Sequence, residues 1–204
     1  MKSARQEILD KLKKLNTPVP EKPDFGEPVF FEIKDPFELV FKKRLEEVNG
    51  VVRLFASEEQ LFEALKMFFR NFKREEIVCS ENALAKQMEN YQIEYTDHFS
   101  AAKKLPVAVT GCECLVAQTG SVMVSSQQLG GRQQIGFPEI HVVIASKNNL
   151  VKTLEDGYRL IQDKYGKKLP SQITLITGPS RTADIEKTLT LGAHGPKELY
   201  VFLH

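Results

Sequence analysis

The chain has 204 residues, 42% of them hydrophobic and 27% charged, the composition of a globular protein with room for one large α/β domain or two small ones. Its formal net charge of +1 gives no electrostatic argument for nucleic acid or an anionic membrane as partner. No apolar run reaches the length of a membrane span, the start lacks a signal peptide's apolar core, and the cysteines, Cys79, Cys112 and Cys114, are too few for a disulfide framework; a cytoplasmic protein with reduced thiols is expected.

Ile8, Leu9, Leu12 and Leu15 recur on one face between charges, predicting a helix over residues 2–15 with Ser3 as N-cap. Pro18, Pro20, Pro23 and Pro28 then remove backbone donors and predict an extended connection. The expected organisation is therefore an N-terminal helix and Pro-rich connection, 1–35, followed by an α/β domain, 36–204. Asp35-Pro36 opens a helix, with Asp35 as cap, striped by Phe37, Val40, Phe41, Leu45 and Val48 and ended by Asn49-Gly50. A strand follows at 51–55, and Ser57 begins a helix that runs to about Phe72.

The alternation continues. Strands are expected at 77–79, 93–95 and 107–109, with a helix over 81–89 capped by Ser80. Residues 115–125 are strand-like but break at Thr119-Gly120. Another strand fits 141–145, an amphipathic helix 150–165, and a strand 173–177. Strands alternating with helices predict an α/β fold with a mostly parallel central sheet flanked by helices. In the tail, 185–191 and 199–203 alternate apolar and polar residues around Gly192 to Pro196, the pattern of a β-hairpin with a long turn. A helix over 183–190 is the alternative, since Glu and Leu both favour helices.

Chemistry concentrates in that tail. Thr177-Gly178-Pro179-Ser180-Arg181-Thr182 follows directly on a predicted strand, and ligands in open α/β sheets sit beyond the carboxyl ends of strands. Glycine lets backbone N–H groups approach an anion, Ser180 and Thr182 add hydroxyls, and the Arg181 fork suits carboxylate or phosphate. The competing reading is a turn whose Arg pairs with Asp184 or Glu186. On a strand, Asp184 and Glu186 would share a face, as a proton-transfer pair or as a solvated edge. His194, between glycines, is either a general base or an exposed turn residue.

The second cluster is Thr110-Gly111-Cys112-Glu113-Cys114 with Gln118-Thr119-Gly120-Ser121. Zinc and iron–sulfur centres usually need four ligands, so Cys112 and Cys114 read as small buried residues and no metal is expected. Gly120 and Ser121 mark a sharp break, either a bulge or a place where backbone N–H groups meet a ligand. Gly130-Gly131-Arg132 forms a polar loop before the strand at 141. There is no P-loop, dinucleotide fingerprint, zinc-protease motif or nucleophile elbow, and no cofactor is expected.

The closing segment, TGPSRTADIEKTLTLGAHGPKEL, resembles the signature of the LUD-domain proteins, nearest the lactate-utilisation protein C branch. The matching residues are Thr177 to Ser180, Thr182, Asp184 to Glu186, Gly192 and His194 to Pro196. TGCECLVAQTGSVMVSS resembles the family's middle motif, with Cys112 and Gln118 where acids are common. The resemblance implies a fold like those of ribose-phosphate isomerases and CoA transferases. It implies a role in oxidising L-lactate as an accessory component beside iron–sulfur proteins. Under it, His194 and Glu186 are the candidates for proton transfer, and Gly120, Ser121, Gly178, Ser180, Arg181, Thr182 and Asp184 for binding a small carboxylate or phosphate. Whether the chain is itself an enzyme stays open. The alternatives are a stand-alone enzyme on a phosphorylated or acyl metabolite and a purely structural subunit.

Overall fold

The computed structural model describes residues 4–14, 32–97, 106–127, 133–183, 189–191 and 195–204. The chain divides into two compact units, residues 1–32 and 33–204. In the first, helix α1 (Ala4–Lys14) carries Ile8, Leu9 and Leu12. Ser3 and the Pro-rich connection through residue 31 lie outside the described residues.

The second unit is built on two sheets. Strands β1 (Val51–Leu54), β2 (Ile77–Val78), β3 (Val107–Thr110), β6 (Ile140–Ala145) and β11 (Glu198–Leu203) form an all-parallel sheet in the order β1-β11-β6-β3-β2. Strands β4 (Cys114–Val116), β5 (Ser121–Ser125), β7 (Leu150–Val151) and β8 (Ile173–Ile176) form a mixed sheet in the order β7-β4-β5-β8.

Strand periodicity decides which layer each side chain joins. In β6, Val142 and Ile144 join one core and Val143 and Ala145 the other; in β11, Phe202 opposes Leu199, Val201 and Leu203. Helices α3 (Glu58–Phe69) and α4 (Asn82–Asn90) cover the first face with Leu61, Phe62, Leu65, Phe69, Leu84 and Met88. On the second face, helix α2 (Phe37–Glu47) brings Phe41 and Leu45 against Leu115, Val122 and Val124 of the mixed sheet. That sheet's outer face, with Cys114, Val116 and Met123, is closed by Ile161 of helix α6 (Leu154–Tyr165). Being covered on both faces, the parallel strands read as continuous apolar runs.

Several expected elements are corrected. Pro36, not Asp35, is the N-cap of α2, and its carbonyl accepts the N–H groups of Leu39 and Val40. Glu81, not Ser80, precedes α4. Residues 93–95 form no strand; a lone bridge joins Val78 to Thr96. The helix expected from residue 150 starts at Leu154, because Leu150 and Val151 pair with β4 and Thr153 caps the helix by accepting the Asp156 N–H.

The tail is rearranged most. Residues 199–203 do not pair with 189–191, the described part of the segment expected as their partner. Instead β9 (Arg181–Ala183) pairs antiparallel with β10 (Leu189–Leu191), and β11 inserts between β1 and β6. The alternation in β11 reflects two cores, one on each face, rather than one core and solvent. A short helix, α5 (Gln133–Gly136), precedes β6; Arg132 lies outside the described residues.

Candidate functional site

The predicted anion loop leaves β8, which is antiparallel to β5 and lies outside the parallel sheet. The loop therefore follows the carboxyl end of β8 but emerges beside the amino ends of the parallel strands β1 and β11, not beyond their carboxyl ends. There it meets the far end of the same closing segment: the Ser180 N–H donates to the Pro196 carbonyl at 2.8 Å, and Gly195 lies against the Ser180 side chain. A shallow cleft of about 150 Å³ opens at this junction, lined among others by Asn49, Pro179, Arg181, Lys197 and Tyr200.

Gly120 and Ser121 belong to the same region. They form the β4–β5 turn, and the Ser121 hydroxyl hydrogen-bonds those of Thr119 and Thr177, each at 2.7 Å. Ser121 is buried. The two glycines with it also serve packing. Gly120 has φ +65°, and a Cβ there would stand 2.5 Å from the Leu45 N atom of α2. Gly178 has φ +88°, and its Cβ would stand 2.8 Å from the Val48 carbonyl oxygen. Both let a turn press on the end of α2, and both sit where L side chains are strained.

Gly120, Ser121, Gly178, Ser180 and Arg181 are thus brought together, with Thr182 following in β9. Arg181 is exposed beside the cleft. Asp184, Glu186 and His194 lie outside the described residues; His194 adjoins Gly195 in sequence. Lys197 and Tyr200 were not singled out from the sequence, although Lys197 follows the Gly195-Pro196 pair directly. Lys197 pairs with Glu139 at 3.2 Å. Burial and a hydrogen bond to Glu198 push the Tyr200 phenol up to about 12, so it keeps its proton.

A second polar cluster lies on the far side of the mixed sheet. Glu113, buried between Cys112 and Cys114, accepts hydrogen bonds from Ser125 (2.6 Å), Lys164 (2.7 Å) and Tyr165 (2.7 Å). Burial works against its charge, but the bonds from Lys164, Ser125 and Tyr165 outweigh it and hold the carboxyl below its ordinary value. An acid inside an apolar strand run was the available signal, since such a charge demands partners. The thiols behave as expected for buried residues: Cys112 and Cys114 are both buried, and burial raises both well above the ordinary thiol value. Among the described residues no group of three or more His, Cys, Asp or Glu is placed to hold a metal.

The family profile described as the LUD domain matches residues 39–204. The chain belongs to the LUD domain family. Similar proteins include Lactate utilization protein C 1 of Bacillus mycoides, 35% identical over 97 residues, which are 47% of this chain and 42% of the relative. Lactate utilization protein C of Bacillus subtilis is 32% identical over 110 residues, 52% of this chain and 46% of the relative. The chain spans about half the length of these curated relatives. A DUF162 family protein from Deinococcus radiodurans has the same fold, with a TM-score of 0.65 and 19% identity over 82% of this chain and 95% of that one. No described helix is long and apolar enough to cross a membrane.

Proposed function

We propose that this chain acts in lactate utilisation as an accessory component beside iron–sulfur proteins, taking a small carboxylate or other anion at the amino-edge cleft. The carrying observation is that the two ends of the closing signature fold back on one another through the Ser180–Pro196 bond beside Arg181, while Thr177 at its start is bonded to Ser121 of the middle motif. Relatives named for lactate utilisation support the metabolic context.

In this reading the Arg181 fork grips the carboxylate, with Ser180, Thr182 and the Gly178 backbone beside it. Gly120 and Ser121 hold the loop in place. Asp184 is a further candidate for ligand binding, and His194 or Glu186 for moving any proton. Kinship with ribose-phosphate isomerases and CoA transferases belongs to the same reading, as does a cytoplasmic location.

The test is a native pull-down with the tagged chain, followed by mass spectrometry, iron analysis and a lactate-oxidation assay. Recovery of cluster-bearing proteins with lactate-oxidising activity is expected. Arg181→Ala should retain the fold and lower that activity about tenfold or more, the loss of one charge-assisted contact. Turnover by the isolated chain would point instead to a stand-alone enzyme on a phosphorylated or acyl metabolite. Full activity in the Arg181→Ala complex would leave a purely structural subunit.

A further inference from the structure

The opposite edge of the parallel sheet carries a pocket that the motifs do not touch. Four strands end there on residues with polar groups: β2 is followed by Glu81, β3 by Gly111 and Cys112, β6 by Ser146 and Asn149, and β11 by His204. These line a pocket of about 250 Å³, about eight water molecules' share of liquid volume. That admits a metabolite of a few carbons. The carboxyl ends of parallel strands are where open α/β sheets take ligands.

Its chemistry is specific. Glu81 makes no hydrogen bond to the first turn of α4; its Oε1 accepts the Gly111 N–H at 2.8 Å, leaving Oε2 for the pocket. Asn149 Oδ1 accepts the Ser146 N–H at 2.9 Å, which directs the amide NH2 elsewhere as a donor. The Ser146 hydroxyl oxygen accepts the Asn148 N–H, and its own proton is left to donate. Phe62 and Leu84 supply an apolar wall, and among the described residues no Lys or Arg lines the pocket. A doubly charged phosphate would find no cation among these described lining residues to compensate it. A singly charged acid with a short carbon skeleton fits, provided that Glu81 does not add a second negative charge.

We propose that this pocket binds a small hydroxy or keto monocarboxylic acid together with one proton, with Glu81 in its acid form donating to the ligand's carboxylate. The choice of acid class rests on the lactate-linked reading above. Burial, which exceeds the opposing effect of the Gly111 N–H, already raises the Glu81 carboxyl to about 7 in the unliganded chain. Glu113 raises it further and Lys164 lowers it. Among the described residues, the other titratable groups nearby are the thiols Cys79 and Cys112, which burial keeps protonated, and His204.

The experiment is titration of the full chain with L-lactate, glycolate, pyruvate and 3-hydroxybutyrate at several pH values, followed by NMR shifts and calorimetry. Affinity should weaken about tenfold per pH unit once the pH is well above 7, because the ligand requires the Glu81 proton. Glu81→Gln, checked for folding, should bind with little pH dependence. If Glu81→Gln does not fold, the wild-type pH series decides. Binding by none of the acids at about 50 mM, well above a millimolar Kd, overturns the proposal, as does pH-independent wild-type binding. Either failure leaves the lactate reading to its own pull-down test. Proton-coupled binding of the other acids without any response to lactate keeps the pocket and removes the lactate link.

Discussion

At the amino edge of the parallel sheet, glycines and hydroxyls mainly close the structure on itself: Gly120 and Gly178 press on α2, and Ser121 is tied to Thr119 and Thr177. At the carboxyl edge, side chains from four strand ends stay turned toward an open pocket. The difference lies in what backs each edge. The amino edge is packed by the β4–β5 turn and the end of α2, so its close contacts are backbone to backbone. The carboxyl edge is bordered by residues just past strand ends, whose side chains hold nearby loop N–H groups and still line the pocket. A glycine-rich run thus specifies close packing as readily as ligand contact, and an unremarkable Glu can stand in the more ligand-like setting.

The largest expected effect tests the packed edge. Gly120→Ala places a methyl 2.5 Å from the Leu45 N atom at φ +65°, and should cost about 4 kcal/mol in urea unfolding. A cost near zero would show that the turn is free to move, and the contrast between the edges would fail.

Glu113→Ala comes next. It leaves the Lys164 ammonium and the Ser125 and Tyr165 hydroxyls without their shared acceptor, and should cost about 3 kcal/mol. Lys164 is half exposed and can turn to solvent, which tempers the loss. Because the folded carboxyl titrates below its unfolded value, its stabilisation is present above the unfolded value and is lost as pH falls through the folded one. Acid unfolding of the variant should lack that component.

His141 gives the finest probe of the sheet between the edges. Its Nε2–H donates to Thr110 Oγ1 at 2.8 Å, while the Thr110 hydroxyl donates to the Gly111 carbonyl; Nδ1 has no partner among the described residues. Burial lowers the ring to about 4. A folded value below the unfolded one means that stability is full above the unfolded value of about 6.5 and falls as pH drops toward 4. The decline should total about 3 kcal/mol and should disappear from the pH dependence of His141→Gln unfolding.

How much of this was legible varied by element. The helical stripes of α2 and α3 and the apolar runs of β3 and β6 were plain, because burial period and residue type agreed. The start of α6 was misplaced since Leu150 and Val151 suit either state, and pairing with β4 chose the strand. Of the candidate site residues, Ser121 meets Thr177 of the closing segment and Arg181 lines the cleft, while Lys197 and Tyr200, which also line it, gave too weak a local signal.

The sequence by itself determined the α/β class, the buried thiols and the family motifs, since these depend on local periodicity, composition and short spacing. Only the tertiary structure decided that β8 lies in a separate mixed sheet, that β11 inserts between β1 and β6, and that Glu81, Ser146, Asn149 and His204 share one pocket. The reason is physical: alternation shows that a strand has two faces, but which strand pairs with which is set by nonlocal hydrogen bonds and by the cores that both faces must fill.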